Sequence, residues 1–166
     1  KRYKIQLGAF DINNANSSMR IQSIKVIPQF TEAAFSRILK KQEDLYDLEF
    51  RNIVLAGIDT RLLILKKRLE AATATLQPVV KIYRDRTVAE DLDSKVGKYP
   101  HQMLQTIKFP FSIKKLTIRN GTVSYSEKAE VSGKTGTVFF NNINGTVNNI
   151  TNISDLVSKN NLLELD

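Results

Sequence analysis

The residues that could carry out chemistry are few and scattered in this sequence of 166 residues. His101 is the single histidine, and no nucleophile-elbow motif accompanies it to build a Ser–His–Asp triad. Because the chain has no cysteine, thiolate nucleophiles, thiolate metal ligands and disulfides are excluded. One histidine among scattered aspartates gives no metal-ligand spacing. We therefore predict no enzyme, no catalytic residue, no metal site and no cofactor, and interpret His101 as a surface residue.

Two further motifs resemble functional signatures but have simpler interpretations. The segment Gly133-Lys134-Thr135-Gly136 lacks the full spacing of a phosphate-binding loop and lies in a β context, which favours a turn. Asn-X-Ser/Thr triplets would accept glycans in a secreted eukaryotic protein, whereas in an asparagine-rich bacterial chain they arise by chance. These triplets begin at Asn16, Asn120, Asn144, Asn149 and Asn152.

The net charge of +8 is the remaining chemical signal. A positive surface favours anionic partners such as nucleic acid, lipid headgroups or acidic polysaccharide. The basic residues are dispersed, however, as expected for a solvated strand face. Aromatic side chains near Lys114 and Lys115 could stack on bases, but aromatic residues in strands more often belong to a core. We therefore expect no nucleic-acid partner; the aromatic residues concerned are Phe109, Phe111, Tyr125, Phe139 and Phe140.

The elements that must position any functional surface are predicted mainly from alternating apolar residues. The clearest stretch is 113–125, IKKLTIRNGTVSY, in which Asn120-Gly121 separates two alternating runs and predicts a type I′ hairpin turn. LTIRNGTV at 116–123 resembles LEFRNIVL at 48–55 and, more weakly, VFFNNING at 138–145. The pattern predicts a mainly β (α+β) fold, a curved antiparallel sheet of repeated strands and hairpins with short interposed helices.

The remaining elements follow from local signals. In strand 19–27 the apolar phase slips by one near Gln22-Ser23, which predicts a bulge. Thr31 and Asp59 are predicted N-caps of two helices, and Pro78 predicts an edge or a break in its strand. We interpret 1–166 as a single β-rich piece of a longer protein, with strands at 1–9, 19–27, 47–58, 68–84 and 137–147, helices at 31–39, 60–67 and 100–107, and a mobile loop at about 85–98.

The alternating residues predict one apolar sheet face. Such a face must be covered by helices, by another sheet, or by acyl chains. An open groove would favour lipid binding, and a second layer filling the face would favour a structural scaffold. The candidate groove residues are Leu48, Phe50, Val54, Leu116, Ile118, Val123, Tyr125 and Phe140.

The order of these elements resembles the AsmA-like family, the AsmA/TamB/YhdP type of bacterial envelope protein. The resemblance covers residues 45–155. In that family a strand ends in a Gly-Ile/Val-Asp step, a short leucine helix follows, and the next strand closes on a proline and an "iyrd"-like end. Here those features are Gly57-Ile58-Asp59, Leu62-Leu63, Pro78 and Ile82-Tyr83-Arg84-Asp85.

The resemblance implies a non-catalytic envelope module with an apolar β-groove. Such a module would bind phospholipid acyl chains and contribute to phospholipid transport between the inner and outer membranes. It would be periplasmic and tethered to the inner membrane by an N-terminal helix that this sequence lacks. The alternative is a structural or interaction scaffold for outer-membrane assembly or for binding anionic polymers.

Overall fold

The computed structural model describes residues 2–91 and 107–157, which form one open sheet with short helices at its margins. The sheet order is β1-β3-β4-β5-β6-β7, and β2 pairs with β3 beside β1. None of the described helices is long and apolar enough to cross a membrane. The elements are β1 Tyr3–Leu7, β2 Phe10–Asn13, β3 Ser18–Pro28, α1 Glu32–Ile38, β4 Asp44–Ala56, α2 Thr60–Lys66, β5 Leu69–Asp85, β6 Phe111–Lys128, β7 Thr135–Thr151 and α3 Ser154–Val157.

The mainly β prediction is confirmed, and so are two of the helices. Thr31 caps α1 by accepting a hydrogen bond from the Ala34 amide (3.3 Å), and Asp59 caps α2 by accepting one from the Leu62 amide (3.0 Å). Lys67 ends α2 in the left-handed conformation (φ 51°). Local capping chemistry was therefore sufficient to place these two helices.

The sheet is predominantly antiparallel, as predicted, but it is mixed rather than antiparallel throughout, because β5 and β6 pair in parallel. Residues 86–110 connect them, and a parallel pair needs a crossover of about a dozen residues or more. Of the predicted loop at 85–98, Asp85 is the last residue of β5, and the Gln42 side-chain amide donates to the Val88 carbonyl (3.0 Å). Residues 92–98 of that loop and residues 100–106 of the predicted helix, with His101, lie outside the described residues, and Ile107 is not helical.

The predicted hairpin at Asn120-Gly121 is also wrong, since β6 runs without interruption from Phe111 to Lys128. Asn120 has a φ of 49°, but Gly121 does not adopt a positive φ. A type I′ turn needs positive φ at two successive residues, whereas a bulge needs it at one. The asparagine therefore forms a bulge, and β6 pairs with β5 on one side and with β7 on the other.

The same bulge recurs at the asparagine of each repeat found in the sequence. Asn52 in β4 and Asn142 in β7 also have positive φ, at 52° and 56°. Asparagine tolerates the left-handed conformation better than most residues with a Cβ atom. The repeated motif thus marks the place where each of three strands changes the face on which its apolar residues lie.

The bulges lie in one line across the sheet, which we call the asparagine crease: Asn52, Gln77, Asn120, Asn142 and Asn144. Asn52 Nδ2 donates to Gln77 Oε1 (3.3 Å), and Gln77 Nε2 donates to the Asn120 carbonyl (3.3 Å). Asn144 Oδ1 accepts from the Asn120 amide (3.0 Å), and Asn144 Nδ2 donates to the Asn142 carbonyl (2.8 Å). Side-chain amides thus supply hydrogen bonds where the bulges disturb the backbone ladder.

The phase slip predicted near Gln22-Ser23 belongs to the same line. Met19, Ile21 and Ile24 all pack on one core cluster, so the apolar phase does change between Ile21 and Ile24. The register between β3 and β4 is nevertheless the same before and after this point. The reason is that β4 changes its own apolar phase at Arg51-Asn52, directly opposite the change in β3. The two strands therefore bend together at this level.

Pro78 neither ends a strand nor lies on an edge, contrary to the prediction. It lies within β5, between β4 and β6, opposite the register shift that the Asn120 bulge produces. A Cβ atom on Gly121 would lie 3.0 Å from Pro78 Cγ and 3.3 Å from the Ile143 carbonyl oxygen. The close approach of the proline ring, rather than a turn, therefore favours glycine at position 121.

Gly121→Val is expected to destabilise the protein by about 1–3 kcal/mol, because the added side chain overpacks the contact with Pro78. Gly136→Val is the matched control, since a Cβ atom there meets nothing within 4 Å. Urea unfolding of both variants measures the difference. Equal stability of the two would contradict the close-approach explanation.

Candidate functional site

The principal surface is an apolar face that crosses the whole sheet. Its central row consists of directly paired residues, one from each of six strands. No residue of the row is polar. The row is Ile5, Val26, Leu48, Val80, Val123 and Phe140.

Two flanking rows extend this surface on the same side of the asparagine crease. Nearer the crease, Leu7, Ile24, Phe50 and Pro78 pair in sequence across four strands. Farther from it, the row is Tyr46, Ile82, Tyr125 and Val138. We call these three rows the open half of the apolar face.

Beyond the crease the apolar face continues as what we call the covered half. Its main row is Ile12, Met19, Leu55, Ala74, Leu116 and Val147. The buried cluster of Ile53, Leu55, Ile58, Ala71 and Ala74 lies here, and Leu63 of α2 packs against it. Ile24 and Phe50 of the open half contact the same cluster, so both halves belong to one face.

Seven of the eight predicted groove residues lie on this face. In the open half they are Leu48, Phe50, Val123, Tyr125 and Phe140; in the covered half they are Leu116 and Ile118. Val54 is the exception. The Asn52 bulge places Ile53 and Leu55 in the buried cluster, so Val54 between them lies on the opposite face, 38 % exposed and paired with Arg20 and Thr75.

Sequence reasoning missed the contributions of β3 and β5. Ile24, Val26, Val80 and Ile82 complete the rows, and their alternation was visible in the sequence. The interpretation of Pro78 as a break concealed the continuity of β5. The sequence signal that could have revealed this continuity is the occurrence of apolar residues at every second position, namely Leu76, Pro78, Val80 and Ile82.

The open half is accessible to solvent, especially at the two sides of the sheet. Ile5 and Leu7 are 73 % and 55 % exposed, and Val138 and Phe140 are each 54 % exposed. In the part of the chain that the structure describes, α2 is the element that covers the apolar face, and it lies at the covered half. Helix α1 packs on the other face, where Phe35 is buried against Leu45 and Tyr83.

A polar rim borders the open half at the end away from the crease. Arg84 Nε lies 3.2 Å from Asp44 Oδ1, and the Tyr46 hydroxyl donates to Asp44 Oδ2 (3.2 Å). Burial and then the Asp44 carboxylate raise the pKa of Tyr46 to about 12. Tyr125 likewise donates to Glu127 (2.7 Å), and burial followed by this bond raises its pKa. Both tyrosines therefore stay protonated, with the ring on the apolar face and the hydroxyl on the rim.

The opposite face of β3, β4 and β5 carries paired charges. Glu49 bonds Arg51 (2.6 Å) and Lys25 (3.1 Å), and the hydrogen bond from Arg51 leads in lowering the pKa of Glu49 to about 2. Lys81 lies 3.4 Å from Asp47. Much of the basic charge on this face is thus already matched by carboxylates.

A cleft of about 520 Å³ lies beside α1 and contains the most deeply buried carboxylate of the described residues, Asp85. Its Oδ1 accepts from the Thr87 amide (2.9 Å) and hydroxyl (2.5 Å), and its Oδ2 accepts from Lys128 (3.1 Å). Burial alone would raise the pKa of Asp85, but these bonds outweigh it and hold the pKa below its usual value. Both oxygens are engaged, so Asp85 joins the ends of β5 and β6.

No group of three potential metal ligands occurs among residues 2–91 and 107–157. Comparison with models of known families, with curated proteins and with solved structures gave no match to this chain.

Proposed function

We propose that this chain is a non-catalytic lipid-binding module that holds phospholipid acyl chains on the open half of its apolar face. The observation that carries the proposal is the six-residue row from Ile5 to Phe140, which no described element covers. Large exposed apolar surfaces usually mark an interaction site. A surface of this kind is stabilised when hydrocarbon replaces water over it.

The dimensions of the open half suit hydrocarbon chains. Six strands spaced by about 4.8 Å give a surface about 24 Å across, wide enough for several acyl chains lying side by side. The rim formed by Tyr46, Tyr125 and Arg84 lies at its outer end. Amphipathic tyrosines and charged groups at such a boundary suit the level of lipid headgroups.

The resemblance of residues 45–155 to the AsmA-like family supports the same proposal and extends it. On this basis the module acts in the periplasm and contributes to phospholipid transport between the inner and outer membranes. The absence of cysteine is compatible with an oxidising compartment.

The alternative, a scaffold that binds anionic polymers through a basic face, has less support. Lys25, Arg51 and Lys81 on the polar face are each within bonding distance of a carboxylate. Such pairs offer little unbalanced positive charge to a polyanion.

Native mass spectrometry of the chain after incubation with phosphatidylethanolamine and phosphatidylglycerol vesicles tests the proposal. We expect bound phospholipid masses on the folded protein and their loss when the protein is unfolded by acid before mixing. A folded protein that carries no phospholipid would contradict the proposal.

A further inference from the structure

The outward side of α2 carries large aliphatic side chains that do not pack on the sheet. Leu63 is the residue of this helix that packs against the buried cluster of the covered half. The next two residues, Ile64 and Leu65, are 63 % and 71 % exposed. Arg61 lies on their side of the helix, because residues three and four positions apart share a face. Two aliphatic side chains therefore project from the fold beside a cation.

Positive charge is concentrated around these two residues. The segment 60–68, TRLLILKKR, carries four basic residues and no acidic residue, so it supplies +4 of the net charge of +8. Arg68 is paired with Glu70. None of the other three basic residues forms an ion pair with a carboxylate of residues 2–91 and 107–157. We call the exposed residues of this helix end the α2 patch: Arg61, Ile64, Leu65, Lys66 and Lys67.

Helix stability does not account for the composition of the α2 patch. The helix dipole favours a cation in the last turn, which is the position of Lys66. The dipole gives no reason, however, for two adjacent exposed aliphatic residues. Helix α1 has the ordinary composition of a surface helix, with one acidic residue, Glu32, and one basic residue, Arg37. The combination of exposed aliphatic side chains and unpaired cations thus distinguishes α2 from α1.

A neighbouring segment repeats the same combination. The Leu69 amide donates to the Pro110 carbonyl (3.0 Å), so the residues just before β6 adjoin the C-terminal end of α2. Asn152 holds this segment in place, because its Nδ2 donates to the Phe109 carbonyl (3.0 Å). Phe109 is 44 % exposed, and Lys108 beside it is exposed as well. This end of the sheet therefore presents apolar and basic side chains from two separate segments.

We propose that the α2 patch docks on the surface of an anionic phospholipid bilayer. Ile64 and Leu65 insert at the level of the headgroups, and Arg61, Lys66 and Lys67 contact the lipid phosphates. Helices that lie in a membrane interface combine apolar side chains with lysine and arginine in this way. The aliphatic part of a lysine side chain can lie along hydrocarbon while its ammonium stays at the headgroups. Anionic headgroups are also the charge complement of a segment with three unpaired cations.

The composition of the α2 patch favours a bilayer over an acidic protein as its partner. Protein–protein interfaces are enriched in aromatic residues and depleted in lysine. The α2 patch contains two lysines and no aromatic residue. Two aliphatic side chains projecting from a short helix also need no pocket in a bilayer, whereas a protein partner would have to supply one.

This docking goes beyond the proposed function and does not rest on it. The α2 patch lies on the outside of the helix that covers the covered half, whereas acyl chains would lie on the open half, across the asparagine crease. Val123→Glu changes only the open half. It should therefore leave the affinity for a bilayer surface within about twofold of that of the unmodified chain.

Sedimentation of the whole chain with vesicles tests the charged part of the proposal. We expect the chain to bind vesicles of phosphatidylglycerol mixed equally with phosphatidylcholine, more weakly at high salt, and not to bind vesicles of phosphatidylcholine alone. Lys66→Gln with Lys67→Gln should lower the affinity by about tenfold or more. The matched control, Lys4→Gln with Lys40→Gln, removes the same charge from exposed positions elsewhere and should keep the affinity.

A tryptophan probe tests the insertion of the aliphatic residues, because the natural chain contains no tryptophan. The emission of Leu65→Trp should move to shorter wavelength when phosphatidylglycerol vesicles are added, and brominated acyl chains should quench it. Ile38→Trp, at a residue of α1 that is 51 % exposed, is the control and should show neither effect.

The outcomes separate this inference from the proposed function. Equal binding to phosphatidylcholine vesicles, equal weakening by the control pair of lysines, or an unchanged emission of Leu65→Trp would each overturn the docking. Capture of the chain on polyglutamate in place of vesicles would assign the patch to an acidic protein and would also overturn it. Loss of docking in folded Val123→Glu would place the contact on the open half and overturn this inference alone. Docking that depends on α2 in a chain that carries no phospholipid in native mass spectrometry would support this inference and contradict only the proposed function.

Discussion

Val123→Glu is expected to weaken phospholipid retention strongly while the protein stays folded. Val123 lies in the central row of the open half, paired with Val80 and Phe140, and it is not among the residues packed on a core cluster. A carboxylate there would have to lie against hydrocarbon, which costs several kcal/mol unless the group takes up a proton. Since about 1.4 kcal/mol is a tenfold change in affinity, retention should fall by at least about tenfold. Native mass spectrometry and a melting curve on the same sample measure both quantities.

The matched control is Val54→Glu, the same substitution on the opposite face of the sheet. Val54 is 38 % exposed and paired with Arg20, so a glutamate there stays hydrated beside a cation. Retention and melting temperature should be close to those of the unmodified chain. If Val54→Glu reduced phospholipid binding as much as Val123→Glu, binding would depend on net charge rather than on the apolar face. If Val123→Glu retained lipid in the folded state, the face would not be the binding surface.

The position of Val54 also illustrates what could be predicted from this sequence. Alternation along Leu48, Phe50 and Val54 assigned all three to one face, and this holds only for a strand without a bulge. A single left-handed residue, Asn52, reverses the alternation and brings Ile53 and Leu55 inward. The repeat of asparagines was visible, but its conformational consequence was not.

Local sequence could not distinguish a hairpin turn from a bulge at Asn120-Gly121, because both place asparagine at positive φ. Residues distant in the sequence determine that a bulge forms here, because β5 and β7 pair with the two sides of β6. The parallel pairing of β5 with β6 is non-local in the same way. By contrast, Thr31 and Asp59 cap their helices through bonds to residues three positions away, so their effect was predictable.

The two halves of the apolar face should differ strongly in what they contribute to stability. Leu55 and Leu48 lie on the same strand and the same face, on either side of the asparagine crease. Leu55 is 4 % exposed within the buried cluster that α2 covers. Leu55→Ala is therefore expected to lower the free energy of unfolding by about 2–5 kcal/mol, the range for a leucine removed from a closed core. Leu48→Ala removes a half-buried side chain from the open half, where water or lipid can occupy the vacated space, and should cost about 1 kcal/mol.

Urea unfolding in the absence of lipid measures both free energies, and Leu65→Ala, at a leucine of α2 that is 71 % exposed, provides the surface reference. A loss at Leu48 equal to that at Leu55 would mean that the open half is a filled core, which would remove the basis for lipid binding there. Adding phospholipid refines the test. Ligand that binds only the folded protein raises its stability, so lipid should stabilise the unmodified chain and Leu55→Ala by similar amounts. It should stabilise Leu48→Ala less, because that variant alone has lost contact area on the surface where acyl chains would lie.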